Sequence, residues 1–430
     1  MTLNCTPGGL GRLRGTLLRA AGALALSAVA PLASAAYFVW ETVELPASTG
    51  AACGNGTPYR FFVNRTPFTK DTALMYEGGG ACWDQGACLG QGHLAASNPN
   101  GVSANYLGEL NTAAFGLITP FTARIDPFQG VRTQGWNMVY LPYCTGDVHT
   151  GNKVAVYSDQ DPANPRVQYH RGYANIRAAA QWLRANMGQP GQLLLTGFSA
   201  GGVGSTATYA LVRDTLAPTG RASLLADSGP LFPAPRGGTA AQYPSLPLHN
   251  KIRGVWGLDD KDGLVTANTS IAGIDVNNLG SINTALPARY PADRFGFVLF
   301  GADGNFSNFS YEKFYPEISG APTEAIKKQL VNQRWQQDIS QWLPVLATQP
   351  NVAWHVPYFR NFNDSHCLTI IDFSGTAIEE KKIASLEPFI DNTLDRGTPM
   401  RNVEADHVSD LSRAVSIAMS ILGYVLALFG

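Results

Sequence analysis

Short apolar runs alternate along the chain with stretches of helical spacing. Residues 73–76, 138–141, 192–195, 222–225, 252–258, 297–300 and 353–356 are compact runs of strand character. Residues 171–186 place Ile176, Ala180 and Leu183 on one helical face, and residues 204–212 resume helical character. Strands alternating with helices predict an α/β fold with a mostly parallel central sheet and helices on both faces. Polar, proline-rich stretches at 94–130 and 230–250 are expected as loop insertions. No period of a repeat protein is visible.

The two ends differ from this pattern. Arg12, Arg14 and Arg19 precede an uncharged apolar run, and Ala33-Ser34-Ala35 follows it. That order predicts a signal peptide over residues 1–36 and a secreted or periplasmic protein. Residues 411–430 space Leu411, Val415, Ala418, Leu422, Val425 and Phe429 at helical intervals. This is expected as an apolar C-terminal helix, docked on the core or associated with a membrane. One large domain over 37–410 lies between.

Composition narrows the class. Only 15% of residues are charged and the formal net charge is −1, so nothing favours a phosphate backbone and no nucleic-acid partner is expected. Beyond the signal, five cysteines remain: Cys53, Cys82, Cys88, Cys144 and Cys367. In an oxidising compartment they predict two disulfides and one spare thiol. Cys82 and Cys88 are close enough to close a small loop, and Cys53 with Cys144 is the second pairing. None has zinc-finger spacing, and no metal or cofactor is expected.

The chemistry centres on Gly197-Phe198-Ser199-Ala200-Gly201, between a strand run and a helical run. In that context G-x-S-x-G predicts a sharp turn that presents Ser199 as a nucleophile. A serine needs a base and an orienting acid, expected in the chain order Ser, acid, His. His249, His355, His366 and His407 follow Ser199; His366, in a loop beyond the 353–356 strand, is the expected base. The acid is expected where the 252–258 run ends in Asp259-Asp260-Lys261-Asp262: Asp260, with Asp259 as the alternate. Oxyanion stabilisation needs backbone N–H groups, one from Ala200 and others from the glycines of Tyr76-Glu77-Gly78-Gly79-Gly80.

Several segments in order resemble the pectin acetylesterase family, which includes the Notum carboxylesterases. They are the segment opening at Cys53, Glu77-Gly-Gly-Gly-Ala-Cys82 with Cys88, and the strand from Trp136 to Asp147 through Pro142-Tyr143-Cys144. His170-Arg171-Gly172, Gly197–Gly202, Asp227-Ser228-Gly229 and His366-Cys367 complete the series. The resemblance implies an α/β-hydrolase-like esterase without a metal, with Ser199 as nucleophile and His366 as base. It implies oxyanion amides at Gly79, Gly80 and Ala200, a structural Asp227, and a Cys82–Cys88 bridge holding the oxyanion loop. Ala81 stands where the family has tryptophan, and Asn363 where plant members have a cysteine.

These features predict a secreted serine esterase acting through an acyl-enzyme, most simply on acetyl esters of a glycan. A lipid or aliphatic polyester carboxylesterase is the alternative. A non-catalytic, envelope-associated binding protein on a hydrolase scaffold is the third reading.

Overall fold

The computed structural model describes residues 39–108, 119–124, 130–370, 372–395 and 398–406. The expected signal segment, His407 and the apolar stretch 411–430 lie outside the described residues.

Eleven strands are described: β1 (Glu41–Glu44), β2 (Arg60–Asn64), β3 (Thr72–Tyr76), β4 (Asn137–Leu141), β5 (Lys153–Tyr157), β6 (Arg166–His170), β7 (Leu193–Phe198), β8 (Ala222–Asp227), β9 (Arg294–Val298), β10 (Val352–Val356) and β11 (Val403–Glu404). Nine form one sheet in the order β1-β2-β4-β3-β7-β8-β9-β10-β11; β5 and β6 pair separately as an antiparallel ribbon. From β4 to β11 every pairing is parallel, and β1 and β2 add an antiparallel edge. Every residue of β3, β4, β8 and β10 is buried, as in a parallel sheet covered on both faces.

The helices that matter for the site are α1 (Gly172–Met187), α2 (Ala200–Ala207), α3 (Leu246–Val255), α4 (Gly304–Tyr311) and α5 (Glu324–Leu346). The connections β7–α2 and β9–α4, and the loop after β10, leave the carboxyl edge of the sheet. That edge is where ligands bind in open α/β sheets.

The sequence expectation fails at 252–258, which is not a strand. Residues 252–255 close α3, with Pro247 in its first turn, where a missing N–H costs nothing. Its buried residues Leu246, His249, Ile252 and Arg253, followed by buried Trp256, recur at helical spacing. A short apolar run cannot be told from a buried helical segment by composition alone.

Both expected disulfides are present, Cys53–Cys144 and Cys82–Cys88, and Cys367 is a free, buried thiol. Among the described residues, no helix is long and apolar enough to cross a membrane.

Candidate active site

Ser199 sits between β7 and α2 with φ 56° and ψ −121°, a strained backbone for a residue with a side chain. Its neighbours explain why the turn holds. The Ser199 N–H donates to the Asp227 carbonyl at 2.8 Å. A Cβ on Gly197 would lie 2.5 Å from the Gly201 carbonyl oxygen, and one on Gly201 would lie 2.1 Å from that of Tyr76. The two glycines let the strand, the turn and β3 close on one another.

The histidine loop is fixed from behind. Asp227, fully buried at the end of β8, accepts from the Leu368 and Thr369 amides and from the Thr369 and Ser228 hydroxyls at 2.7–2.9 Å. The Cys367 N–H donates to Ser228 Oγ at 3.0 Å. The buried Arg360 guanidinium donates to the carbonyls of His366 and Cys367. Burial raises the Asp227 pKa, and hydrogen bonds from Leu368, Thr369 and Ser228 oppose the rise.

His366 Nδ1 donates to Asp303 Oδ2 at 2.8 Å, with both side chains almost wholly buried. Asp303 follows β9 and caps α4, its Oδ1 accepting from the Asn305 and Phe306 amides at 3.0 and 2.9 Å. The carboxylate against His366 is therefore Asp303, not Asp260 or Asp259. Asp260 is exposed. Asp259 is held by Arg236 and by Arg253 Nη1, the latter at 2.5 Å. Both follow a helix rather than a strand, so neither stands at the sheet edge. A sequence signal for Asp303 existed: it lies just beyond the 297–300 run, the last strand before that of the histidine.

Ser199 and His366 line one cleft of about 550 Å³, together with Gly79, Gly80, Ser97, Asn98, Tyr106 and Phe309. No hydrogen bond joins the Ser199 hydroxyl to His366 among the described residues; such contacts are often looser without substrate. Gly79 and Gly80 have φ of 148° and 69°, and their loop follows β3 beside the elbow. Ala200 opens α2, where a helix leaves amides unpaired.

Glu77, at the root of that loop, is buried. It accepts from the Tyr106 and Tyr140 hydroxyls at 2.7 and 2.9 Å and from the Tyr143 amide at 2.7 Å. Burial pushes its pKa up to about 7 against those hydrogen bonds. The Glu77 carbonyl receives His149 Nε2 at 2.8 Å, and burial lowers the His149 pKa to about 4. Sequence reasoning passed over this network because its members are scattered along the chain.

A second, narrower pocket of about 60 Å³ also contains Ser199. Its walls include Ala81, Trp83, Leu231, Phe232, Ile252 and Trp256. Cys82, Cys88 and His170 form the single described cluster with metal-ligand spacing, but the disulfide occupies both sulfurs. That cluster does not fit a metal ion.

The parallel sheet, the strained serine turn and the late-strand acid and histidine define an α/β-hydrolase-like protein. The pectinacetylesterase family model matches residues 33–243, which include the glycine loop, both disulfides and Ser199. Residues 33–243, just under half of the chain, are thus similar to that family. It is 26% identical over 195 residues to palmitoleoyl-protein carboxylesterase notum2 of Xenopus laevis, covering 42% of this chain and 35% of that protein. The chain thus spans about a third of that relative's length. Among solved structures, the Wnt deacylase Notum from Drosophila aligns with a TM-score of 0.47 at 18% identity, over 74% of this chain and 85% of that one.

Proposed function

We propose that this protein is a serine carboxylesterase. Ser199 attacks the ester carbonyl, and His366 takes its proton and passes it to the leaving alcohol. Asp303 holds the imidazole tautomer and stabilises its positive form. The amides of Gly79, Gly80 and Ala200 receive the oxyanion, and water then hydrolyses the acyl-enzyme with His366 as base. The observation that carries this reading is the 2.8 Å Asp303–His366 pair, with its histidine on the same cleft as the strained Ser199. Two disulfides support an oxidising compartment, hence a secreted or periplasmic location.

The two cavities divide the substrate. The larger cleft, with polar side chains such as Ser97, Asn98 and Asn305, suits the alcohol. The apolar pocket suits the acyl group. At roughly 10–15 Å³ per water-sized group, its volume takes about four to six such groups. An acetyl group would leave most of its apolar wall untouched. This favours short aliphatic acyl esters over acetyl esters of a glycan.

The test is hydrolysis of p-nitrophenyl esters from acetate to palmitate by wild type and Ser199→Ala, with fluorophosphonate labelling of both. The expected result is a maximum near butyrate to hexanoate, labelling of wild type, and loss of both in the variant. Undiminished hydrolysis by Ser199→Ala sinks the assignment. A maximum at acetate returns the glycan deacetylase, and absence of both activity and labelling returns the binding protein.

A further inference from the structure

The apolar pocket has one polar corner that hydrolysis of a plain acyl ester does not use. His249, on α3, lines it and is 5% exposed. Its Nδ1 has no hydrogen-bond partner among the described residues. Ser245, the residue just before α3, lines the same pocket beside the Asp338 carboxyl, to which the Tyr311 hydroxyl donates at 2.8 Å. Ser310 of α4 also lines it; its hydroxyl donates to the Phe306 carbonyl at 2.9 Å and keeps lone pairs to offer.

A buried imidazole nitrogen without a partner is costly in an apolar wall. His170 is satisfied by the Thr145 carbonyl and the Tyr157 hydroxyl. His355 in β10 also leaves its Nδ1 unpartnered, but its Nε2 meets the Thr376 carbonyl at 2.8 Å. What singles out His249 is its place in the wall of a pocket that contains Ser199. His249 is neutral, because burial and the neighbouring Arg253 guanidinium lower its pKa to about 3. A neutral imidazole offers one donor and one acceptor. A hydroxyl can donate to or accept from whichever nitrogen it meets, and it brings no charge into this pocket.

We propose that the acyl pocket takes a short hydroxy-substituted acyl group whose hydroxyl hydrogen-bonds the His249 imidazole. The proposal rests on the esterase reading of Ser199 and adds the substrate class. His249 then acts as a specificity residue, and the ester bond is cleaved as described above with no further chemistry.

The experiment compares kcat/KM for ethyl butyrate, ethyl 2-hydroxybutyrate and ethyl 3-hydroxybutyrate by pH-stat titration. Each value is normalised to the ester's hydroxide-catalysed rate, and wild type is measured beside His249→Phe and His249→Gln. Wild type is expected to prefer one hydroxy ester by about tenfold, the worth of one good hydrogen bond. His249→Phe is expected to bring that ratio near one, and His249→Gln to retain part of it. Equal normalised rates in wild type overturn the proposal while leaving the esterase reading intact. A preference that survives in His249→Phe also overturns it. Hydrolysis of none of the three esters, with Ser199 unlabelled by fluorophosphonate, overturns both.

Discussion

Asp303 divides its carboxylate between two tasks: Oδ1 caps α4 through the Asn305 and Phe306 amides, and Oδ2 receives His366 Nδ1. The cap fixes the carboxylate before the histidine meets it. Asp303→Asn keeps a capping oxygen but offers His366 an N–H or the wrong tautomer. We expect kcat to fall by roughly four orders of magnitude, as for the equivalent change in a serine triad. Asp260→Asn is expected to stay within about twofold, a surface change. Asp259→Asn should lower Tm, because Arg253 is buried and loses its carboxylate, while kcat/KM holds. Comparable activity losses at Asp260 and Asp303 would refute this division.

The elbow depends on backbone closeness rather than on side chains. In Gly201→Ala the new Cβ would meet the Tyr76 carbonyl at 2.1 Å, and main chain on both sides cannot step aside. Overpacking of this kind costs about 1–3 kcal/mol or more. Gly254→Ala is the control: it lies within α3, and nothing comes within 4 Å of its added Cβ. There the substitution is expected to stabilise by about 0.5–1 kcal/mol through helix propensity. Thermal melts of the two variants test the contrast; equal Tm changes would count against the packing account.

Glu77 makes a prediction about pH. Folded, it keeps its proton up to about pH 7; its ordinary value is 4.5. Folding therefore favours the protonated form. The stability this contributes is fully present below pH 4.5 and is lost as pH rises through about 7. Asp147, pushed by burial to about 6, and Asp338, pushed to about 7, act in the same direction. Glu77→Gln removes one titration, so its Tm should fall less steeply than that of wild type between pH 4.5 and 7. Parallel Tm profiles for the two proteins would show that Glu77 is ionised throughout.

Much of this was legible in the chain because it is local. The 192–195 run followed by Gly-x-Ser-x-Gly is a contiguous strand, turn and helix, and the glycine loop directly follows β3. The sequence put His366 in a loop after a late strand, where the structure has it. The carboxylate it meets was not foreseen, because an acidic cluster at 259–262 was read as a strand end when α3 precedes it. Asp303 stands five residues beyond the end of β9, in a segment whose role appears only once β8, β9 and β10 lie side by side. The antiparallel β1–β2 edge, the β5–β6 ribbon and α5 also went unread. In α5 the buried residues Val331, Trp335, Ile339, Trp342, Leu343 and Leu346 recur at helical spacing, but only from Val331 onward in its 23 positions.

Ala81 tests which cavity holds the acyl group. It is 6% exposed and lines the apolar pocket beside Trp83, directly after the glycine loop. The family pattern has tryptophan there, and an indole is larger than the about 60 Å³ available. Ala81→Trp should therefore fill the acyl pocket without touching Asp303 or His366. The expected outcome is a shift of the chain-length optimum from butyrate–hexanoate to acetate, with kcat/KM on hexanoate down by at least about tenfold, the loss of one or two buried methylenes. Activity on acetate should persist, because Ser199 and His366 are unchanged. An unaltered chain-length profile in a folded Ala81→Trp protein would mean that the acyl chain lies in the polar cleft, and the alcohol in the apolar pocket.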